Sequence, residues 1–211
     1  MRLIFVRHGE STANLLHEFS NRGWKHPLTE TGRQQAEILA ARLAVSGVTR
    51  ICTSPLMRAI QTAEILAEAL GLDYQVSDAL REYDVGQYEG SRDPDGWALY
   101  NQVDQAWREP SGWDERMPGG ESFNDVRARF LPFIAGLVGS YGQSGERVAL
   151  VGHGGLYRIM LPLALVNVSA DFAHRHPIPA AGQVTAELST RGLECVAWWQ
   201  AEGPGGDFSA A

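Results

Sequence analysis

Short apolar segments alternate along this chain with longer segments in which apolar side chains recur at helical spacing. The first apolar segment covers residues 2–7, and another covers residues 147–151. Helical spacing predicts helices over residues 30–46 and 55–70. Strands that alternate with helices form a parallel sheet with helices on both faces. We therefore predict an α/β fold, a three-layer α/β/α sandwich around a mostly parallel central sheet.

The rest of the chain continues this alternation with one interruption. Further strands are predicted at 49–53 and 74–76, helices at 96–107, 122–141 and 155–166, and a closing hairpin at 183–189 and 193–200. Pro132 and Pro162 are expected to bend or interrupt their helices. Residues 84–120 are rich in Gly, Asp, Pro and aromatic side chains, and we interpret them as an excursion from one domain over residues 1–202, not as a second core. Residues 203–211 are small and polar, and they are predicted to form a disordered tail.

Composition excludes several classes of protein. The 211 residues are 44% hydrophobic and 20% charged, which is typical of a globular protein. The net charge of −7 argues against nucleic acid and against an anionic membrane surface as partners. No apolar run approaches the roughly 18 residues of a membrane helix, and Cys52 and Cys195 are too few for a disulfide framework. We expect a soluble, cytoplasmic protein whose partner is a small molecule.

Two of the predicted strands end in the same dipeptide, His-Gly. The first strand leads into Arg7-His8-Gly9, and the strand at 147–151 leads into Gly152-His153-Gly154. In open α/β sheets, ligands bind beyond the carboxyl ends of the strands. Two parallel strands that each end in a histidine place both imidazoles in one crevice, which we interpret as a functional site. An acidic chain that binds an anion must also concentrate arginines there.

Several blocks of sequence resemble one known family. They are Arg7-His8-Gly9-Glu10, Leu28-Thr29-Glu30-Thr31-Gly32, Thr53-Ser54-Pro55-Leu56-Met57-Arg58-Ala59, Leu80-Arg81-Glu82, Gly86-Gln87-Tyr88-Glu89-Gly90, Gly119-Gly120-Glu121-Ser122 and Gly152-His153-Gly154-Gly155. Their order is similar to that in the histidine phosphatase superfamily, in the branch of cofactor-dependent phosphoglycerate mutases and related phosphatases. The resemblance spans residues 2–165 and implies a phosphoglycerate mutase-like fold.

The resemblance also implies a role for each residue of a phosphoryl-transfer site. His8 is implied to be the nucleophile that carries the phosphoryl group, and Glu82 the general acid that protonates the leaving group. The residues implied to bind or stabilise the phosphoryl group are Arg7, Asn14, Arg58, His153 and Gly154. Backbone N–H groups of Gly154 and Gly155, at the start of a helix, are expected to add donors. The resemblance implies catalysis without a metal, and we expect no cofactor.

Three functions are compatible with these residues: a phosphomonoesterase acting on a small phosphate ester, a phosphoglycerate mutase, and a phosphate-binding protein without activity. The last is disfavoured, because a binding protein needs no acid such as Glu82. The mutases of the family carry paired arginines in the excursion, where this chain has the isolated Arg92, Arg108 and Arg116. Gly-Gly after the second histidine is also similar to the phosphatases. Hydrolysis is therefore favoured over isomerisation.

The sequence is less informative about the leaving group and the oligomeric state. The aromatic side chains of the excursion either cover an apolar or sugar-like leaving group or pack the excursion onto the core; they are Trp97, Tyr100, Trp107 and Trp113. The segment Leu15–Arg22 is slightly longer than is usual in the family, which affects the expected specificity. Apolar side chains at residues 196–199 fit either the core or a homodimer contact, so both remain open.

Overall fold

The computed structural model describes residues 1–200 and 203–205. Its strands and α-helices, in chain order, are β1 (Arg2–Arg7), α1 (Thr12–Leu16), α2 (Glu30–Ser46), β2 (Arg50–Thr53), α3 (Met57–Leu70), β3 (Tyr74–Val76), α4 (Pro94–Ala106), α5 (Phe123–Tyr141), β4 (Arg147–Gly152), α6 (Gly154–Ala164), α7 (Ala170–Arg175), β5 (Gln183–Ser189), β6 (Gly192–Gln200) and β7 (Gly203–Gly205). Short 3₁₀ helices occur at Asp78–Leu80, Gly86–Tyr88 and Pro110–Gly112. Within this part of the chain, no helix is long and apolar enough to cross a membrane.

The described strands form one sheet in the order β3-β2-β4-β1-β5-β6-β7. The four strands β3, β2, β4 and β1 pair in parallel. β5, β6 and β7 then pair antiparallel, one after another, along the far edge. Because β6 runs in the same direction as β1, only β5 and β7 are reversed among the described strands. The mostly parallel α/β sheet is confirmed.

Successive side chains of β1 enter two separate layers of the core. Leu3 and Phe5 pack in a cluster with side chains of α5 and α6. Ile4 and Val6 pack in a second cluster with side chains of α2 and α3. A strand that is buried on both faces is typical of a sheet covered by helices on both sides. The three-layer α/β/α sandwich is therefore confirmed as well.

Differences from the predicted elements concern short helices, prolines and the C-terminus. α5 and α6 continue through Pro132 and Pro162 without a break. α1 and α7 have no predicted counterpart, because five or six residues are too few to show helical periodicity. Residues 203–205 pair with β6 instead of belonging to a disordered tail. The remainder of that prediction, residues 206–211, lies outside the described residues.

The excursion at residues 84–120 packs over one face of the same sheet. Trp107 and Met117 are buried in the cluster that contains the α5 and α6 side chains. Trp113 stacks on Phe123 of α5, with ring centroids 4.7 Å apart. Trp107 and Trp113 therefore pack the excursion onto the core, which is one of the two roles considered for them.

Candidate active site

The carboxyl ends of β1 and β4 bring two histidines together. The two strands lie side by side, with Arg7 paired to Gly152. The N–H of His8 donates to the carbonyl oxygen of Gly152 at 3.1 Å. The rings of His8 and His153 have centroids 5.1 Å apart, and both side chains are buried. The crevice expected beyond the strand ends therefore contains both imidazoles.

The hydrogen bonds of His8 determine which ring nitrogen can react. Its Nδ1 lies 2.6 Å from the carbonyl oxygen of Gly9. Because a carbonyl oxygen only accepts, Nδ1 carries the proton, and the lone pair is on Nε2. That Nε2 accepts from Nε of Arg58 at 3.0 Å. Burial and the charges of Arg58 and Arg7 hold the pKa of His8 well below its usual value, so the imidazole is neutral at neutral pH.

His153 is oriented by a serine that follows β2. Its Nε2 lies 2.7 Å from Oγ of Ser54, and its Nδ1 lies 3.3 Å from Nη2 of Arg58. A guanidinium only donates, so in neutral His153 the Nδ1 accepts and Nε2 donates to Ser54. Burial and Arg58 hold the pKa of His153 well below its usual value. Ser54 therefore directs the Nδ1 side of the ring toward His8 and Arg58.

Two arginines approach the histidines from different elements. Arg58 lies in the first turn of α3 and is buried, and burial lowers its pKa to about 10, so it keeps its charge at neutral pH. Arg7 ends β1 and donates through Nη1 to the carbonyl oxygen of Ile178 at 2.8 Å, while its buried Nε has no hydrogen-bond partner in this part of the chain. Neither guanidinium forms an ion pair with a carboxylate of the described residues. Both charges are therefore available to an anion.

Glu82 enters the same cavity from the loop after Asp78–Leu80. Its Oε1 accepts from the N–H of Tyr83 at 3.1 Å, and its Oε2 accepts from the N–H of Gly155 at 2.9 Å. The expectation that Gly155 donates to phosphate is therefore wrong for this structure, because its N–H orients the carboxyl group instead. A Cβ at Gly155 would lie 2.7 Å from Oε2 of Glu82, so the close approach requires glycine.

Gly154 and Asn14 lie on the wall of the cavity. A Cβ at Gly154 would lie 3.2 Å from Nε of Arg7, so glycine lets the guanidinium lie against the start of α6. Oδ1 of Asn14 accepts from the N–H and the Oγ of Ser11, at 3.0 and 2.9 Å. This fixes the orientation of the amide and leaves its Nδ2 donors for a ligand.

Of the predicted site residues, those that line one cavity of about 230 Å³ are Arg7, His8, Asn14, Arg58, Glu82 and Gly154, whereas His153 is fully buried and does not line it. Pockets for drug-sized ligands measure roughly 300–1,000 Å³, so this cavity fits a small metabolite. Its lining also includes side chains from residues 13–21, Trp97 and Tyr100 of α4, and Arg158 of α6. Trp97 thus differs from the other two tryptophans of the excursion, because it contacts the space where a leaving group would lie.

Four residues that complete the site have no role in the sequence-based prediction: Glu18, Ser54, Thr62 and Arg158. Thr62 accepts from the N–H of Gly9 at 3.2 Å and so fixes the peptide that holds the His8 proton. Ser54 lies in a block that carries the family resemblance, and Arg158 lies one helical turn after Gly154, so spacing could have indicated both. Glu18 lies outside the blocks quoted for the resemblance.

Glu18 is a buried carboxylate at the rim of the cavity, with a side chain only 3% exposed. Oε1 contacts Nζ of Lys25 and accepts from Nε2 of His26 at 2.9 Å, and Oε2 accepts from Nε of Arg92 at 3.0 Å. The hydrogen bonds from Lys25, His26 and Arg92 outweigh burial and lower the pKa of Glu18 to about 2. This one carboxylate therefore joins the segment after α1 to the excursion.

Two further acidic residues near the site, Glu10 and Glu89, hold loops in place. Oε1 of Glu10 accepts from Oγ1 of Thr29 at 2.7 Å, which ties the loop after β1 to the start of α2. Oε2 of Glu89 accepts from the N–H of Asn21 at 2.9 Å. Over residues 1–200 and 203–205, no group of three or more His, Cys, Asp or Glu side chains is placed to hold a metal ion.

Comparison with known proteins matches this geometry to a family. The model of branch 1 of the histidine phosphatase superfamily matches residues 3–201. The chain belongs to this superfamily. It is thus an enzyme of the histidine phosphatase class, and its fold is that of the phosphoglycerate mutase-like histidine phosphatases.

Sequence relatives within the superfamily include mutases. A 2,3-bisphosphoglycerate-dependent phosphoglycerate mutase of Methylobacterium sp. is 37% identical over 167 residues, which cover 75% of this chain and 78% of the relative. A probable phosphoglycerate mutase of Salmonella paratyphi B is 33% identical over 163 residues, which cover 73% and 70%.

Structural relatives include phosphatases. A mycobacterial glucosyl-3-phosphoglycerate phosphatase, solved with VO3, superimposes with a TM-score of 0.80 at 29% identity, covering 93% of this chain and 98% of that one. A putative α-ribazole-5'-phosphate phosphatase of Escherichia coli has a TM-score of 0.77 at 23% identity over 98% of this chain and 100% of that one, and it supports the fold alone.

Proposed function

We propose that this protein is a metal-independent phosphomonoesterase that hydrolyses small phosphorylated metabolites through a phosphohistidine at His8. The observation that carries the proposal is the state of His8, a buried neutral imidazole whose Nε2 lone pair faces the Arg58 guanidinium. Neutral imidazole is a good nucleophile, and fixed positive charge stabilises the charge of the transferring phosphoryl group.

The reaction divides into two displacements at phosphorus. In the first, Nε2 of His8 attacks phosphorus, the P–O ester bond breaks, and protonated Glu82 gives its proton to the leaving alkoxide oxygen. In the second, water attacks phosphorus, Glu82 takes a proton from that water, and the P–N bond breaks to release phosphate and neutral His8. Arg7 and Arg58 carry the positive charge beside the phosphoryl oxygens throughout, and Asn14 adds a donor. His153, whose two ring nitrogens bond Ser54 and Arg58, positions Arg58 and has no N–H left for the phosphoryl group.

Hydrolysis is favoured over isomerisation by the positions of the arginines in the excursion. Arg92 is paired with Glu18, and Arg116 with Asp125 at 2.9 Å. Neither of them, nor Arg108, lines the cavity. A mutase must retain its phosphorylated intermediate and grip a substrate carboxylate, for which the excursion offers no unpaired arginine in contact with the cavity. Water can then complete the second displacement.

Two further features support the proposal. The positive charge that a metal would supply is already provided by the buried Arg58 and the half-buried Arg7, so the chemistry does not require a metal. Cys52 and Cys195 are both free and buried, which fits a reducing compartment, and we propose that the enzyme works in the cytoplasm.

The test is phosphate release from a panel of phosphomonoesters, with a chelator present and no metal added. We expect release from the wild type, none from His8→Ala, and unchanged release from His17→Asn, a control at an exposed histidine outside the cavity. Rapid quenching with a labelled substrate should trap phosphate on His8 in a base-stable, acid-labile form. Full activity of His8→Ala, or loss of all activity in chelator, would overturn the proposal.

Phosphoglycerate mutase is the second candidate, because the sequence relatives quoted above carry that name. Conversion of 3- to 2-phosphoglycerate, measured with and without 2,3-bisphosphoglycerate, separates the two activities. Isomerisation faster than phosphate release would make the mutase the correct assignment. Phosphate release without isomerisation would support the phosphatase.

A further inference from the structure

The wall opposite the phosphoryl site carries polar groups that the reaction described above does not use. Arg158 lies on α6 four residues after Gly154, on the same helix face and about 6 Å further along the axis. Tyr100 of α4 lies beside it, and both side chains line the cavity. A leaving group attached to a phosphoryl group at His8 would extend toward this wall, past Glu82.

One hydroxyl proton on this wall has no acceptor among the residues that the structure describes. The hydroxyl oxygens of Tyr83 and Tyr100 are in contact, and Nη2 of Arg158 donates to Oη of Tyr100 at 3.4 Å. Only one of the two hydroxyl protons can lie between the two oxygens, so the other needs a further acceptor. Burial raises the pKa of Tyr100, which therefore keeps its proton at neutral pH. Of the two tyrosines only Tyr100 lines the cavity, so a ligand can supply the missing acceptor.

The charges of the cavity distinguish between classes of ligand. Arg7 and Arg58 have no carboxylate partner, and together they match the two negative charges of a phosphoryl group. Arg158, in contrast, donates to Oδ1 of Asp104 at 2.7 Å. The carboxylate of Asp104 compensates the charge of Arg158, but the guanidinium still has N–H groups that can donate to a ligand. Lys25 and Arg92, which share Glu18, are more than half exposed, at 62% and 55%, and do not line the cavity.

We propose that Tyr100 and Arg158 form the leaving-group subsite, and that this subsite selects an uncharged, hydroxylated leaving group over one that carries a second anion. The inference rests on the phosphatase function proposed above. Tyr100 donates to a hydroxyl oxygen of the leaving group, and the stacked rings of Trp97 and Phe19, 3.9 Å apart, provide an apolar surface for its C–H groups. A carboxylate on the leaving group would find no uncompensated cation there.

The test compares two substrates that differ at one carbon and a third without hydroxyl groups. Glycerol 3-phosphate carries CH₂OH where 3-phosphoglycerate carries a carboxylate, and phenyl phosphate has no hydroxyl. We expect the wild type to favour glycerol 3-phosphate over 3-phosphoglycerate by about tenfold or more in kcat/KM. Tyr100→Phe should lower kcat/KM for glycerol 3-phosphate about threefold to tenfold, as expected for one hydrogen bond, and leave phenyl phosphate unchanged. The control Tyr74→Phe removes a hydroxyl that bonds Glu64 outside the cavity and should change neither.

A second variant tests the charge argument. Asp104→Asn removes the charge that compensates Arg158, so it should reduce the preference for glycerol 3-phosphate over 3-phosphoglycerate about tenfold. An unchanged preference in Asp104→Asn would overturn the inference. So would a wild type that favours 3-phosphoglycerate, or a Tyr100→Phe that loses activity equally on glycerol 3-phosphate and phenyl phosphate. In each of these cases the phosphatase itself stands, whereas a wild type that hydrolyses none of the three would overturn the proposed function and this inference with it.

Discussion

A single carbonyl oxygen, that of Gly9, determines which nitrogen of His8 carries the lone pair. Burial and two positive charges keep His8 in its neutral form, and the charge of Arg58 lowers the pKa of His8 more than the charge of Arg7 does. Removing a like charge from beside an imidazole favours its protonated form. The arginines that would bind the phosphoryl group therefore also set the pKa of His8.

Arg58→Gln should raise the pKa of His8. In the wild type, NMR of the imidazole should show no protonation of His8 near its usual pKa of about 6.5, because that pKa is well below this value. In Arg58→Gln the titration should move toward higher pH, since the glutamine keeps a donor but carries no charge. Arg33→Gln, at an exposed position on α2, should leave the titration in place. Identical titrations in all three proteins would contradict the electrostatic account.

Glu82→Gln should slow cleavage of poor leaving groups far more than cleavage of activated ones. An alkoxide needs a proton as it leaves, whereas p-nitrophenolate does not, and a positioned acid contributes about 10²–10⁴-fold. We expect kcat to fall about 10²-fold or more on glycerol 3-phosphate and less than about tenfold on p-nitrophenyl phosphate. Glu64→Gln, on the outer face of α3, is the matched control. Equal losses on both substrates would exclude Glu82 as the acid.

At the scale of elements, the sequence predicts best where a cap residue and apolar periodicity agree. α2 begins after Thr29 and ends before Gly47, which adopts a left-handed conformation with φ of 64°, and α5 begins after Ser122 with a capping box. The prolines in α5 and α6 were poor guides, because tertiary packing keeps both helices continuous despite a lost N–H. The predicted ends of α2 and α5 were therefore more accurate than the predicted interruptions at the prolines.

Thr29 links the start of α2 to the loop that follows β1. This link gives a prediction about the stability of the protein. Its Oγ1 accepts from the N–H of Gly32 at 3.0 Å as the cap of α2 and donates to Oε1 of Glu10 at 2.7 Å. Thr29→Ala removes both bonds and should lower the free energy of unfolding by about 1–2 kcal/mol. Thr29→Ser keeps the hydroxyl and should stay close to the wild type. Urea unfolding measures both, and equal losses for Ala and Ser would show that the methyl group, not the hydroxyl, matters.

At the scale of the whole molecule, the phosphoryl end of the cavity was more predictable than its leaving-group end. His8, Arg7 and His153 follow two adjacent parallel strands, so a linear pattern of strand ends predicts that they meet. The rest of the cavity lining includes Glu18, Tyr100 and Arg158, which lie far apart in the chain and on three different segments. Their meeting depends on how the excursion packs over the sheet, which no local pattern specifies.

Glu18 couples these distant segments to pH. Its pKa is about 2 in the folded protein and about 4.5 in an unfolded chain. The folded state therefore binds the proton less tightly, and Glu18 stabilises the fold above about pH 4.5. As the pH falls from about 5 to about 2, the unfolded state takes up the proton first and this stabilisation is lost. The segment after α1 and Arg92 of the excursion lose their shared carboxylate in the same range.

Glu18→Gln should therefore make the stability of the protein less dependent on acid pH. Glutamine keeps an oxygen for Lys25 or Arg92 but does not titrate. The free energy of unfolding in urea should be lower for the variant than for the wild type at about pH 7, and the two should converge as the pH approaches about 2. Other carboxylates titrate alike in both proteins, so the difference between the two curves isolates Glu18, and Glu37→Gln on the exposed face of α2 should parallel the wild type. A difference that stays constant from neutral to acid pH would show that Glu18 stabilises the fold by its shape and not by its charge.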